Sequence, residues 1–175
     1  LLKKQFKKLN IKIKLNPIQN IKQFKGEGLK VIDVKVNFKD PFNVSKKSSS
    51  YFVINSLNLA HTLALDKSVK GIINCAVNKT LLNKKNLGVT EYLASKCGIK
   101  DGSEVMLIAN KKLAVCPITT HINVKDVSKK LTIDKIYKKI RSINFWFKKR
   151  YKKRPKIAVL GLNPHNSELK KNSEE

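Results

Sequence analysis

Imidazole is the side chain most often used to hold a divalent metal near neutral pH, and this sequence has three histidines. His121 lies in Leu113–Asp126, LAVCPITTHINVKD, and His165 closes the run KIAVLGLNPH. Each follows an apolar, strand-like run at its carboxyl end, where α/β proteins collect ligands and metals. Two loop histidines without a ligand fit the same residues, and residue types alone leave both readings open. Two imidazoles are also an incomplete centre. A catalytic metal site takes three protein ligands and keeps one position for substrate, and no convincing third ligand stands out. His61 falls in the middle of an expected helix and reads as a structural side chain. Lys79 follows the apolar run Ile72–Val77 and could neutralise a phosphate or carboxylate, or be one more solvated surface amine. Asp126, five residues after His121, could orient its ring or cap the next helix, with the cap favoured.

The elements that would position these groups follow from hydrophobic period and turn residues. Ile11, Ile13 and Leu15 alternate with lysines, which predicts a strand ended by Pro17, and Leu29–Phe38 predicts a second. Ser49 or Ser50 caps a helix over Tyr51–Lys70, with Val53, Leu57, Ala60 and Ala64 on one stripe and Gly71 as its stop. Ile72–Val77 then reads as a buried parallel strand. Thr90 caps a short helix with Glu91 in its first turn. Glu104–Ala109 and Leu113–Ile118 are joined so tightly that they must form an antiparallel hairpin. Thr132 caps a long helix lined by Ile133, Ile136, Tyr137, Ile140, Ile143 and Phe147, which Pro155 ends before Lys156–Leu160 returns to the sheet. The pattern is α/β with a mixed sheet. Residues 1–50 form a weakly patterned N-terminal part with one or two strands, and 51–175 carry the α/β core.

Composition bounds the classes open to this chain. At 175 residues and 41% hydrophobic it can build one ordinary core. The net charge of +26 points to polyanions, but of 38 basic residues only Arg141, Arg150 and Arg154 carry the guanidinium fork that phosphate and base recognition favours. An A·T-rich coding bias with lysine as the default surface residue explains the charge more economically, so nucleic acid is not the expected partner. Lys135 to Arg154, with ten positive charges and no acid, is the segment on which a polyanion-binding module would centre. Nothing approaches about 18 consecutive apolar residues, so no membrane span is expected, and the lysine-rich start, with no apolar core after it, is not expected to be a secretory signal. The three cysteines, Cys75, Cys97 and Cys116, lack zinc-finger spacing and read as reduced, mostly buried thiols of a cytoplasmic protein. The chain starts without an initiator methionine and stops after a Pro-His turn where an α/β unit would continue, so an incomplete chain is expected.

In order and spacing, GVTEYLA (88–94), VMLIA (105–109), TTHINVKD (119–126), LTIDKIYKKI (131–140) and PKIAVLGLNPHNSE (155–168) resemble the core of 4-hydroxythreonine-4-phosphate dehydrogenase, the vitamin B6 biosynthetic enzyme. The resemblance is strong from about Ile72 onward and faint before it. It implies an incomplete mixed-sheet α/β/α sandwich like isocitrate and isopropylmalate dehydrogenases, and a homodimer when full length. It also implies NAD-dependent oxidation and decarboxylation of a phosphorylated small-molecule substrate, 4-phosphooxy-L-threonine. His121 and His165 would hold a divalent metal (Zn, Mg or Co), with a third histidine in a YHDQ motif beyond Glu175, so that the fragment alone is expected to lose most activity. The family's GHTE motif reads Gly88-Val89-Thr90-Glu91 here, carrying over Thr90 as a substrate-binding residue but not the histidine. Valine can neither hydrogen-bond nor carry charge, so a paralogue acting on another phosphorylated hydroxy acid stays open. The family's GP-x-x-K run survives in 75–79 only at Lys79, and its AGEGG loop keeps Glu168 without the glycines.

Overall fold

The computed structural model describes residues 1–23, 25–82, 88–99 and 101–163. It divides the chain into two units, Leu1–Leu93 and Ala94–Glu175. The chain is mixed α/β, with one small parallel and one small antiparallel sheet.

In the first unit, α1 (Leu2–Lys8) leads into β1 (Leu15–Ile18), which pairs in parallel with β2 (Leu29–Ile32), Leu15 opposite Leu29 and Ile18 opposite Ile32. The alternation over 11–15 predicts a strand that stops at Pro17. Instead the strand begins where the alternation ends and contains Pro17, which a two-stranded sheet tolerates because both strands are edges and need not use every N–H. A 3-10 turn at Ile21–Gln23 lies in the connection. Gly28 closes it at φ +84, where an added Cβ would stand 2.8 Å from the Lys14 carbonyl oxygen. That oxygen already accepts from Leu29 N at 2.9 Å, so backbone passes backbone too closely for a side chain. β2 stops at Ile32, well short of Phe38.

α2 (Lys46–Leu65) starts earlier than Ser49 or Ser50 would set it, because Ser45 is the residue with extended backbone, and its hydroxyl accepts from Ser48 N at 3.3 Å. Its end also comes earlier than Gly71. Asp66 Oδ1 accepts from Ser68 N, and Lys67 takes the left-handed turn at φ 63. A 3-10 turn follows at Lys79–Leu81, and α3 (Val89–Lys96) starts from Gly88, whose carbonyl accepts from Tyr92 N. Leu57, Leu82 and Tyr92 are buried together, with Val53, Ile54, Val77, Val89 and Leu93 packed on them. Ile72–Val77 is not a strand, and Ile73 is fully exposed. A strand needs a neighbour to take its backbone hydrogen bonds, and among the described residues the only sheets are β1–β2 and the hairpin below.

In the second unit, β3 (Ile108–Ala109) and β4 (Ala114–Val115) form the expected antiparallel hairpin, shortened to two residues a side. Asn110 closes its turn: its N–H donates to Leu113 O, and its Oδ1 accepts from Lys112 N and Leu113 N at 2.8 Å each. A 3-10 turn at Val124–Asp126 precedes α4 (Val127–Lys130), and the Asp126 side chain makes no cap bond. α5 (Ile133–Tyr151) is capped as its sequence requires, Thr132 Oγ1 accepting from Lys135 N at 3.2 Å. One face of α5 is tied to the segment before β3, with Ser142 Oγ donating to Ser103 O at 2.9 Å and Lys139 Nζ to Glu104 O at 2.6 Å. The rings of Trp146, Phe147 and Tyr151 pack at its end. Lys156–Leu160 forms no strand and is exposed. Cys75 and Cys97 are exposed and Cys116 is half-buried, contrary to the expectation of mostly buried thiols. No helix among the described residues is long and apolar enough to cross a membrane.

Candidate functional site

His121 sits on the loop that leaves β4. The half-buried Ile118, Thr119 and Thr120 precede it, and its own side chain is exposed. Among the described residues, four that are not glycine adopt the left-handed conformation: Asn10, Lys67, His121 and Lys152. Asn10 follows α1, Lys67 follows α2 and Lys152 caps α5, so three of them are ordinary helix terminators. His121, at φ 54, follows no helix. A side chain held there costs about 1 kcal/mol, and left-handed non-glycine residues gather at functional sites. Just upstream, burial pushes the Cys116 thiol above its ordinary pKa, opposed by the ammonium of Lys139.

Imidazole is a fitting donor for a borderline divalent ion, so His121 suits a metal by its chemistry. His165 lies outside the described residues, and so does its pairing with His121, as does Glu168. Among the described residues no group of three or more histidine, cysteine, aspartate or glutamate side chains gathers to hold a metal.

Lys79 and Thr90 belong to the first unit. Lys79 opens the 3-10 turn, which Asn78 shapes: its Oδ1 accepts from Thr80 N and from Thr80 Oγ1, both at 3.0 Å. This Asx-type cap presents Lys79 on an exposed turn. The order Asn-x-Thr is the sequence signal for such a cap. Thr90 is the second residue of α3 and exposed, not its cap. Val89 beside it is half-buried and packed on the Leu57–Leu82–Tyr92 cluster, so position 89 serves the core. The Tyr92 hydroxyl donates to Asn58 Oδ1 at 2.7 Å, fastening α3 to α2. Helical spacing of Val89 and Tyr92 marks that inner face; the asparagine that meets it lies 34 positions earlier in the chain.

A family model described as pyridoxal phosphate biosynthetic protein PdxA matches residues 1–175. Among curated proteins, the 4-hydroxythreonine-4-phosphate dehydrogenase of Aquifex aeolicus (strain VF5) is 35% identical over 162 residues, covering 91% of this chain and 50% of that enzyme. That of Sulfurihydrogenibium sp. (strain YO3AOP1) is 33% identical over 174 residues, covering 95% and 52%. That of Neisseria meningitidis serogroup A / serotype 4A (strain DSM 15465 / Z2491) is 34% identical over 128 residues, covering 69% and 38%. The chain spans about half the length of the first two. No solved structure matches it at a significant level.

Proposed function

The chain belongs to the family of pyridoxal phosphate biosynthetic protein PdxA, and on that premise we propose that it serves the NAD-dependent oxidation and decarboxylation of 4-phosphooxy-L-threonine in pyridoxal phosphate biosynthesis. The observation that carries this reading is the family match along the whole chain, with relatives named 4-hydroxythreonine-4-phosphate dehydrogenase. The substrate's secondary alcohol loses its hydroxyl proton and a hydride, the hydride going to NAD, and the β-keto acid so formed loses carbon dioxide. Lys79 neutralises the phosphate of the substrate, and the Thr90 hydroxyl donates to one of its oxygens. His121 and His165 would hold a divalent cation, Zn, Mg or Co, whose chemistry, when bound, would be to polarise oxygens of the substrate. The same reading includes residues 51–175 as the α/β core, the isocitrate/isopropylmalate dehydrogenase-like sandwich, a homodimer and a cytoplasmic location.

A second reading, a dehydrogenase for a different phosphorylated hydroxy acid, is favoured by Val89. Its packing on the apolar cluster leaves no polar group at that position for the substrate. NADH formation by the native polypeptide, supplied with NAD, divalent metal and 4-phosphooxy-L-threonine, tests the first reading, with turnover expected and abolished in His121→Ala. Turnover confined to another phosphorylated hydroxy acid selects the second. No NADH from any of them sinks both.

A further inference from the structure

Lys79 and Thr90 stand on separate elements, the 3-10 turn and α3, and both elements are fastened to one helix. Ser50 Oγ, near the start of α2, donates to the Leu81 carbonyl at 2.5 Å and so holds the turn that opens with Lys79. Eight residues along, about 12 Å up the axis, Asn58 Oδ1 accepts the Tyr92 hydroxyl at 2.7 Å and so holds α3. Between the two bonds Leu57 packs with Leu82, the residue after the turn, and with Tyr92. Tyr92 is 2% exposed, so its hydroxyl has left water and needs a protein partner. Val89 and Tyr92 face α2 while Thr90, between them in sequence, is exposed. The depth at which Tyr92 seats therefore sets where the Thr90 hydroxyl stands relative to α2, as Ser50 does for Lys79.

We propose that Ser50, Asn58 and Tyr92 are positioning residues that use α2 as a rail to fix the spacing of Lys79 and Thr90 for a phosphorylated substrate. This rests on the reading of Lys79 and Thr90 as substrate-binding residues. A lysine and a threonine can share one phosphate only at a matched separation, and a small misplacement of such groups is costly to binding and rate alike. Neither Asn58 nor Tyr92 touches substrate in this scheme. The phenol is chosen over a phenylalanine ring because a directed bond fixes helix rotation, which packing alone leaves looser.

The test is calorimetric titration of the full chain with 4-phosphooxy-L-threonine and, separately, with NAD, for Lys79→Ala, Ser50→Ala, Tyr92→Phe and the pair Tyr92→Phe with Asn58→Leu. The pair removes both polar partners and so avoids a stranded acceptor if Tyr92→Phe alone unfolds the protein, and it is expected to weaken the substrate Kd as Tyr92→Phe does. Expected is a substrate Kd about tenfold weaker in Ser50→Ala and Tyr92→Phe, with the Kd for NAD unchanged and the far-ultraviolet spectrum native. A purely structural role would lower thermal stability and leave the substrate Kd of the folded protein alone. If Lys79→Ala weakens substrate binding while the other variants bind as tightly as the parent, the positioning inference is overturned and the substrate-site reading stands. If Lys79→Ala has no effect, or the parent does not bind the substrate, both are overturned.

Discussion

Lys139 is buried on the packed face of α5, 6% exposed, and its ammonium donates to the main-chain carbonyl of Glu104 at 2.6 Å. Among the described residues no carboxylate pairs with it. A cation in that setting has lost its water and gained one neutral acceptor, an unfavourable exchange unless packing compensates. Lys139→Met keeps the packed stem and removes the charge, and it should raise the stability of the second unit by about 1 kcal/mol in urea unfolding. A clear loss of stability would show that the bond to Glu104 outweighs desolvation.

Two glycines in the β1–β2 connection separate backbone conformation from crowding. Gly26 and Gly28 both have positive φ, but a Cβ on Gly26 meets only the flexible Lys30 Nζ at 3.9 Å, whereas on Gly28 it meets the Lys14 carbonyl at 2.8 Å. Gly26→Ala should cost about 1 kcal/mol for its conformation alone. Gly28→Ala should cost distinctly more and loosen the parallel pair, visible as faster amide exchange at Leu29. Equal costs at the two sites would rule out the steric account.

Two surface charges give the second unit opposite pH limbs. The Ser103 hydroxyl and N–H beside Asp101, with Lys138 adding a smaller pull, hold that carboxyl below its ordinary 3.8. Its contribution is present above that value and is lost as pH falls through the lower folded one. The hydrogen bond from Lys138 to Asp134, at 2.8 Å, lifts the Lys138 amine above 10.5. That contribution is present below 10.5 and is lost as pH rises through the raised folded value. Asp101→Asn should flatten the acid limb of urea midpoint against pH, and Lys138→Met the alkaline limb. Asp101 is exposed and Lys138 is half-buried at the surface, so both effects should shrink in high salt, that of Asp101 more.

The three thiols should not react alike. Cys75 and Cys97 are exposed, while Cys116 is half-buried with its pKa raised by that burial. Since the thiolate is the nucleophile, iodoacetamide should label Cys116 last, as read by peptide mass spectrometry over time. Cys116 labelling first would mean that the Lys139 charge dominates its surroundings.

Local rules carried well where an element depends on its own residues. The Thr132 cap and the tight link at Asn110 are satisfied within one or two turns of chain, so the long helix and the hairpin were legible; the expected apolar face of α5 was not, since Ile133 and Tyr137 are exposed and Lys139 is the residue the helix buries. The apolar runs IINCAV and KIAVL were not, as they look like strands but lie without regular structure. Hydrophobicity reports that a segment prefers burial, whereas a strand also requires a partner's backbone at the right distance. The site divides in the same way. TTH marked His121, but the left-handed backbone that separates it from a plain loop histidine is imposed by the surrounding chain.

By itself, then, the order of residues determined the family, the helix caps and the chemical types of Lys79, Thr90, His121 and His165, because these depend on identity and short spacing. Only the tertiary structure decided which of many lysines is buried at 139, that Val89 packs into the core while Thr90 faces out, and that Asn58 receives the Tyr92 hydroxyl. Burial and hydrogen-bond partnership are properties of pairs distant in sequence, and no single residue carries them until the chain has brought its partner alongside.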